Sequence, residues 1–202
     1  PPFTRPTGHE GEKVGVHNPM FAAFNCSEQE QRLMGKRTKA LTAGTSAHGN
    51  AGEASIFLVL AERKIRVGGI IGLVMPLSLM SGDAWQQSRT MLRKKFSNLI
   101  LVSIAGASGT DMSFSADTHM GECLVVGKRS ESESSRAIFV ILKNRPAYPM
   151  LGTGTGRQIR RLVAQGRVRS LEEGPVGGTQ ITFGNDVIGE IVDAPITDSD
   201  GW

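Results

Sequence analysis

The chain is poor in most of the residues that mark a specialised environment. Its 202 residues include two cysteines, Cys26 and Cys123, one tyrosine and two tryptophans. The cysteines have no CxxC spacing and no neighbouring His/Cys cluster, so they offer no zinc site. They read as free or buried thiols in a reducing, cytoplasmic compartment. His9, His17, His48 and His119 are scattered without ligand spacing, and no metal is expected. No apolar run approaches the roughly 20 residues of a membrane-spanning helix. The longest, Ile70–Pro76 and Leu99–Ile104, suit buried strands. No secretory leader is visible. Gly-x-Ser-x-Gly and Gly-Lys-Ser/Thr are both missing, which removes the hydrolase nucleophile elbow and the P-loop. There is no internal repeat or heptad.

What is present is globular. Hydrophobic residues make up 39% and charged residues 21%, values of a chain that buries a core rather than of a disordered one. The net charge of +4 and pI near 9.4 suit a polyanionic partner without requiring one.

Residues 1–52 are polar and glycine-rich, as in a long functional loop or insertion. They contain one helix signal, from an N-cap at Ser27 with Glu30 completing a capping box to about Lys39. Gly44–Gly52 reads as a flexible connection. From Glu53 the pattern is regular. Ala54, Phe57, Leu58, Ala61 and Ile65 recur at helical spacing, Arg63, Lys64 and Arg66 suit the helix C-terminus, and Gly68-Gly69 ends it. Ile70–Met75 is apolar on both faces, as in a strand covered by helices on both sides. Ser81 or Asp83 can cap a second helix with Trp85, Leu92 and Phe96 on one stripe. Leu99–Ile104, Glu122–Gly127 and Ala137–Leu142 are further strands, separated by a Gly/Ser-rich loop over 105–120 and a charged hinge over 128–136. This order is half of a doubly wound α/β sheet. Beyond Pro146 the chain changes character. Gly152-Thr153-Gly154-Thr155-Gly156 reads as a flexible linker, followed by a basic helix over about Arg157–Gln165, a strand at Thr179–Phe183 and a polar end.

Three groups of residues carry a resemblance. Gly69–Gly82 reads Gly-Ile-Ile-Gly-Leu-Val-Met-Pro-Leu-Ser-Leu-Met-Ser-Gly and is followed by Trp85 and Arg89. Phe114-Ser115-Ala116-Asp117-Thr118 then precedes Gly121-Glu122-Cys123-Leu124-Val125-Val126. Pro1-Pro2-Phe3 opens the chain without an initiator Met. Together these resemble the C-terminal half of a class I, S-adenosylmethionine-dependent DNA methyltransferase of the N6-adenine type. The likeness covers residues 1–130 and is vague beyond them.

The resemblance implies an α/β fold: a partial Rossmann-like methyltransferase sheet, its C-terminal half, with helices on both faces and a small C-terminal appendage. It divides the chain into a catalytic-loop remnant with a polar insertion (1–52), half of a methyltransferase domain (53–145) and an accessory α+β appendage (146–202). Pro1, Pro2 and Phe3 would be the end of an Asn/Asp-Pro-Pro-aromatic catalytic motif. In that family the Asn/Asp side chain and a proline carbonyl, here that of Pro1, accept hydrogen bonds from the exocyclic amine of adenine. The aromatic ring, here Phe3, stacks on the base turned out of the duplex. No covalent intermediate is needed; the work is positioning and electrostatics. Asn18-Pro19-Met20-Phe21 imitates the motif with its Asn present, but lacks the second proline and an apolar strand before it.

The family's cofactor site, a glycine-rich turn and an acidic residue, lies upstream of the tetrapeptide and cannot be placed. S-adenosylmethionine is therefore expected for the parent protein, and this chain alone is expected to be inactive. DNA is the expected partner. A second expectation is a bare edge on the Ile70–Met75 strand, covered by the N-terminal segment or by a second copy in a homodimer. Two other readings stay open. One is a non-catalytic, methyltransferase-like module holding DNA or a subunit in a restriction or phage-defence protein. The other keeps the fold with RNA or a protein glutamine as substrate.

Overall fold

The computed structural model describes residues 27–47, 51–115, 120–173 and 177–197. Helix α1, Glu28–Thr42, begins as its sequence dictates. The Ser27 side chain accepts from the Glu30 N–H at 3.3 Å, and the Glu30 carboxylate accepts from the Ser27 N–H at 2.8 Å. The helix runs three residues past its expected end at Lys39. Helix α2, Glu53–Lys64, follows Gly52 and ends on Arg63 and Lys64. Gly68, at φ 83°, turns the chain into strand β1, Ile70–Pro76.

The remaining elements are α3 (Gln86–Lys95), β2 (Phe96–Ile104), β3 (Glu122–Arg129), β4 (Arg136–Leu142), α4 (Pro149–Ala164), β5 (Arg169–Ser170), β6 (Thr179–Phe183) and β7 (Asp186–Pro195). Among the described residues the strands form one mixed seven-stranded sheet in the order β1-β3-β2-β4-β7-β5, with β6 paired to β7. Strand β3 lies between β1 and β2 and is antiparallel to both, in register Met75↔Cys123 and Ser103↔Cys123. β1 and β2 therefore run in the same direction. β4 is parallel to β2 and antiparallel to β7. The strands of the C-terminal segment thus continue the sheet through β4.

Side chains alternate between two cores, as the two-residue period of a strand requires. Leu99, Leu101, Cys123, Val125 and Ala137 pack with Leu58 of α2 and Leu92 of α3. Val102, Ile104, Val140 and Leu142 face the other way and pack with Ile159 and Leu162 of α4. The fold is α/β with helices on both faces of the sheet.

Four local expectations are corrected. Trp85 is not on the helix but in a 3-10 turn, Asp83–Trp85, immediately before α3. Phe96 is not on the helical stripe either; it is the first residue of β2 and fully buried. Gly152–Gly156 is not a linker but part of α4. Pro149 starts that helix, and burial of Thr155, Ile159 and Leu162 outweighs the roughly 1 kcal/mol that each glycine costs relative to alanine. The polar end of the chain contains β7, one of the longest strands.

Strand β1 is also covered differently from its apolar reading. Ile71, Leu73 and Met75 pack toward α2, whereas Ile70 on the opposite face is 71% exposed among the described residues. Only β3 pairs with β1 among the described strands. Residues 1–26, the segment expected against its open edge, lie outside the described residues.

Candidate functional site

The C-terminal end of β1 is tied down by several hydrogen bonds. Beyond Pro76 the chain enters a 3-10 turn, Leu77–Met80, and the Leu77 N–H donates to Gly121 O at 2.8 Å, tying the turn to the start of β3. The Gly82 N–H donates to Ser78 O at 2.7 Å. A Cβ at Gly82 would stand 2.8 Å from that same oxygen, so the close approach requires glycine.

Two side chains lock this turn from α3 and its N-terminal edge. Arg89 is buried, and its Nη1 donates to Leu79 O at 3.0 Å and to Gly82 O at 2.9 Å. Burial lowers the pKa of its guanidinium below the ordinary arginine value, and Asp83 offsets part of that. Trp85 Nε1 donates to Ser78 Oγ at 3.0 Å. An indole whose N–H finds a partner can be buried whole, and Trp85 is.

A carboxylate clamps the opposite wall. Glu122 is fully buried, and its Oε2 accepts from the backbone N–H groups of Phe114 and Ser115, each at 2.8 Å. Its Oε1 accepts from the Ser115 hydroxyl at 2.8 Å. The Glu122 N–H donates to Met112 O at 2.9 Å. The loop before residue 116 is therefore folded onto the head of β3 by a carboxylate both of whose oxygens accept from protein donors.

Between these walls lies an open cleft of about 370 Å³, lined by Pro76, Leu77, Ser78, Ser81, Met112 and Met120. Its surface is apolar with serine hydroxyls, and none of these lining residues bears a titratable group. Such a cleft can hold a flat or thioether-bearing group by packing, but supplies no general acid or base. Among the described residues no cluster of three His, Cys, Asp or Glu is placed to hold a metal, and no helix is long and apolar enough to cross a membrane.

Cys123 lies just behind the cleft, with its Sγ 3.6 Å from Pro76 O. Burial, with a smaller contribution from Glu122, pushes its thiol up from 9.0 to about 12. The folded thiol stays protonated where the unfolded one ionises. The associated stability is fully present below pH 9 and is lost as pH rises toward 12, by on the order of 1 kcal/mol at pH 10. Urea unfolding at pH 8 and pH 10 checks this. The wild type should lose that increment more than Cys123→Ala does, and parallel losses would refute it.

The structure brings together Pro76–Gly82, Trp85, Arg89, Phe114, Ser115 and Gly121–Cys123; of the other described residues that carry the resemblance, Gly69–Met75 lead into this corner along β1 and Leu124–Val126 leave it along β3. Pro1, Pro2 and Phe3 lie outside the described residues, as do Asn18–Phe21, Asp117, Thr118 and His119. The clamp made by Glu122 and the lock made by Arg89 were not foreseen as roles. The only sequence signals were a lone acid heading an apolar run and a lone arginine on an otherwise apolar helix face.

No protein-family model and no curated protein matches the chain. Solved restriction-modification enzymes are among the structures it is similar to. One is the ATP-dependent type ISP restriction-modification enzyme LlaBIII bound to DNA, at 16% identity and TM-score 0.37 over 45% of this chain and 7% of that one. A second is the DrdV–DNA complex, at 14% identity and TM-score 0.45 over 54% and 12%. A third is the type IIG restriction endonuclease BpuSI, at 14% identity and TM-score 0.39 over 70% and 14%. The chain thus spans 14% or less of the length of each of these proteins.

Proposed function

We propose that this chain is part of the catalytic region of an adenine-specific DNA methyltransferase, which moves a methyl group from S-adenosylmethionine to adenine N6. One observation carries the reading. Residues from two separate parts of the resemblance, Pro76–Ser78 with Ser81 and Gly121, line one cleft at the C-terminal end of β1, and β1 has an edge that no described strand occupies. That edge is where a preceding strand bearing an Asn/Asp-Pro-Pro-aromatic loop would pair, and Pro1-Pro2-Phe3 has the composition of that loop's end.

On this reading the Pro1 carbonyl accepts a hydrogen bond from the exocyclic amine, holding it so that its lone pair can attack. Phe3 stacks on the extruded base and offsets part of its lost stacking. Leu77, Met112 and Met120 supply the apolar part of the cleft lining. Gly152–Gly156, the one glycine-rich candidate, is helical, and the cleft lining offers no carboxylate for sugar hydroxyls.

The test uses the intact protein with isotope-labelled S-adenosylmethionine and duplex DNA. N6-methyladenine should appear, and Phe3→Ala should slow its formation roughly 5- to 150-fold, the equivalent of about 1–3 kcal/mol of stacking. Label recovered in RNA or protein instead, or a Phe3→Ala rate equal to wild type, would overturn the proposal. The codon before Pro1 discriminates further. Asn, Asp or Ser there belongs with catalysis, whereas a bulky apolar residue belongs with a non-catalytic module.

A further inference from the structure

The basic helix has no part in the reaction above. Basic and acidic residues are nearly balanced over the whole chain, at 23 and 19, yet residues 134–171 contain no Asp or Glu at all. Arg136, near the start of that stretch, is engaged by Asp193 and Glu172. Lys143, Arg145, Arg157, Arg160, Arg161 and Arg167 are exposed, and among the described residues none of them forms an ion pair.

Helical spacing sorts α4 into two faces. Thr155, Ile159 and Leu162 are buried, the latter two in the core shared with β4, β6 and β7. Arg157, Arg160 and Arg161, three and four residues apart, stand together on the opposite face. Like charges at this spacing repel, and three glycines in the same helix weaken it further. A helix opposed in both ways is held by its packing alone in the free protein, and a polyanion would relieve the repulsion. Arginine also suits phosphate better than lysine does, because its planar fork can meet two phosphate oxygens at once.

We propose that the exposed face of α4, with Arg145 and Arg167 in the segments flanking it, binds the phosphate backbone of double-stranded DNA without reading its sequence. This surface lies over the β4–β7–β6 part of the sheet, away from the cleft at the end of β1. The choice of DNA over other polyanions rests on the methyltransferase reading; the phosphate-binding face does not.

The experiment is fluorescence anisotropy of the intact protein with labelled duplexes of two unrelated sequences, over a salt series and without S-adenosylmethionine. The Arg157→Gln/Arg160→Gln/Arg161→Gln variant should bind both duplexes at least about tenfold more weakly. Its plot of log affinity against log salt should be shallower by about 2–3, near 0.9 for each phosphate contact removed. The corresponding triple lysine variant should keep the wild-type slope. Arg145→Gln/Arg167→Gln, which leaves the helix untouched, should lower affinity and slope in the same direction, so the proposal stays testable if the glutamine triple misfolds. Unchanged affinity and slope in the glutamine variants would overturn the proposal, as would tighter binding of single-stranded RNA than of duplex DNA. Because no methyl donor is present, failure of methyl transfer leaves this result standing on its own.

Discussion

Glu122→Ala should destabilise the protein by roughly 3–5 kcal/mol, a large share of the 5–15 kcal/mol that holds a typical domain together. The carboxylate is fully buried and accepts from two backbone N–H groups and the Ser113 and Ser115 hydroxyls of one short loop. Alanine would leave the Phe114 amide without its acceptor and the Ser115 amide with only Ser113 Oγ, at 3.2 Å. Glu122→Gln should fall in between, since one oxygen is kept for the two amides while the charge is lost and the Ser115 hydroxyl must turn to accept from the new NH₂ group. For a chain of this size the alanine variant should melt about 10 °C lower. Urea unfolding gives the energy, and amide hydrogen exchange shows whether the loop is the part released. The Phe114 and Ser115 amides should be protected in the wild type and exchange rapidly in the variant. A loss below about 1 kcal/mol, with both amides still protected, would show that the clamp is dispensable.

Arg89→Ala should cost about 2–4 kcal/mol, and its damage should be confined to the turn after β1. The guanidinium makes two charge-assisted bonds to Leu79 O and Gly82 O from a buried position. Both carbonyls belong to a turn whose other ties include the Leu77–Gly121 and Gly82–Ser78 contacts and the Trp85 indole. Arg89→Lys should recover at most half, because a single ammonium on a flexible stem cannot match the guanidinium's fixed geometry toward both carbonyls. Trp85 is a convenient reporter. Its emission should shift to the red in the alanine variant as its hydrogen bond to Ser78 loosens. An Arg89→Ala protein with wild-type stability and emission would remove arginine from the account of this corner.

Much of the fold is legible because much of its signal is local. Ser27 and Glu30 are three residues apart and cap one another, as their spacing foretells. Ile70–Pro76 is a strand because nothing interrupts its apolar run. The misreadings occur where distant packing decides. Phe96 continues a helical stripe in sequence, and only the sheet makes it a strand residue. Gly189 obscures the alternation of β7, yet glycine is what the sheet needs there: a Cβ would stand 2.6 Å from Ile141 O on the neighbouring strand. The candidate site follows the same division. Trp85, Arg89, Phe114 and Glu122 stand out as motif residues. Their work does not, because the partners of Arg89 and Glu122 are mostly backbone atoms that any residue could supply.

The sheet order also sets how the chain must fold. Nearly every strand pairs with one far away in sequence: Ile71 meets Gly127, Ile100 meets Ile138, and Ile138 meets Asp193. The β6–β7 hairpin, closing at Phe183↔Asp186, is the local exception. Long loops must close before the central pairs form, which places the chain among slow folders of high contact order. During that interval the apolar β1 strand waits for β3, a partner made some fifty residues later, and is open to strands of other chains.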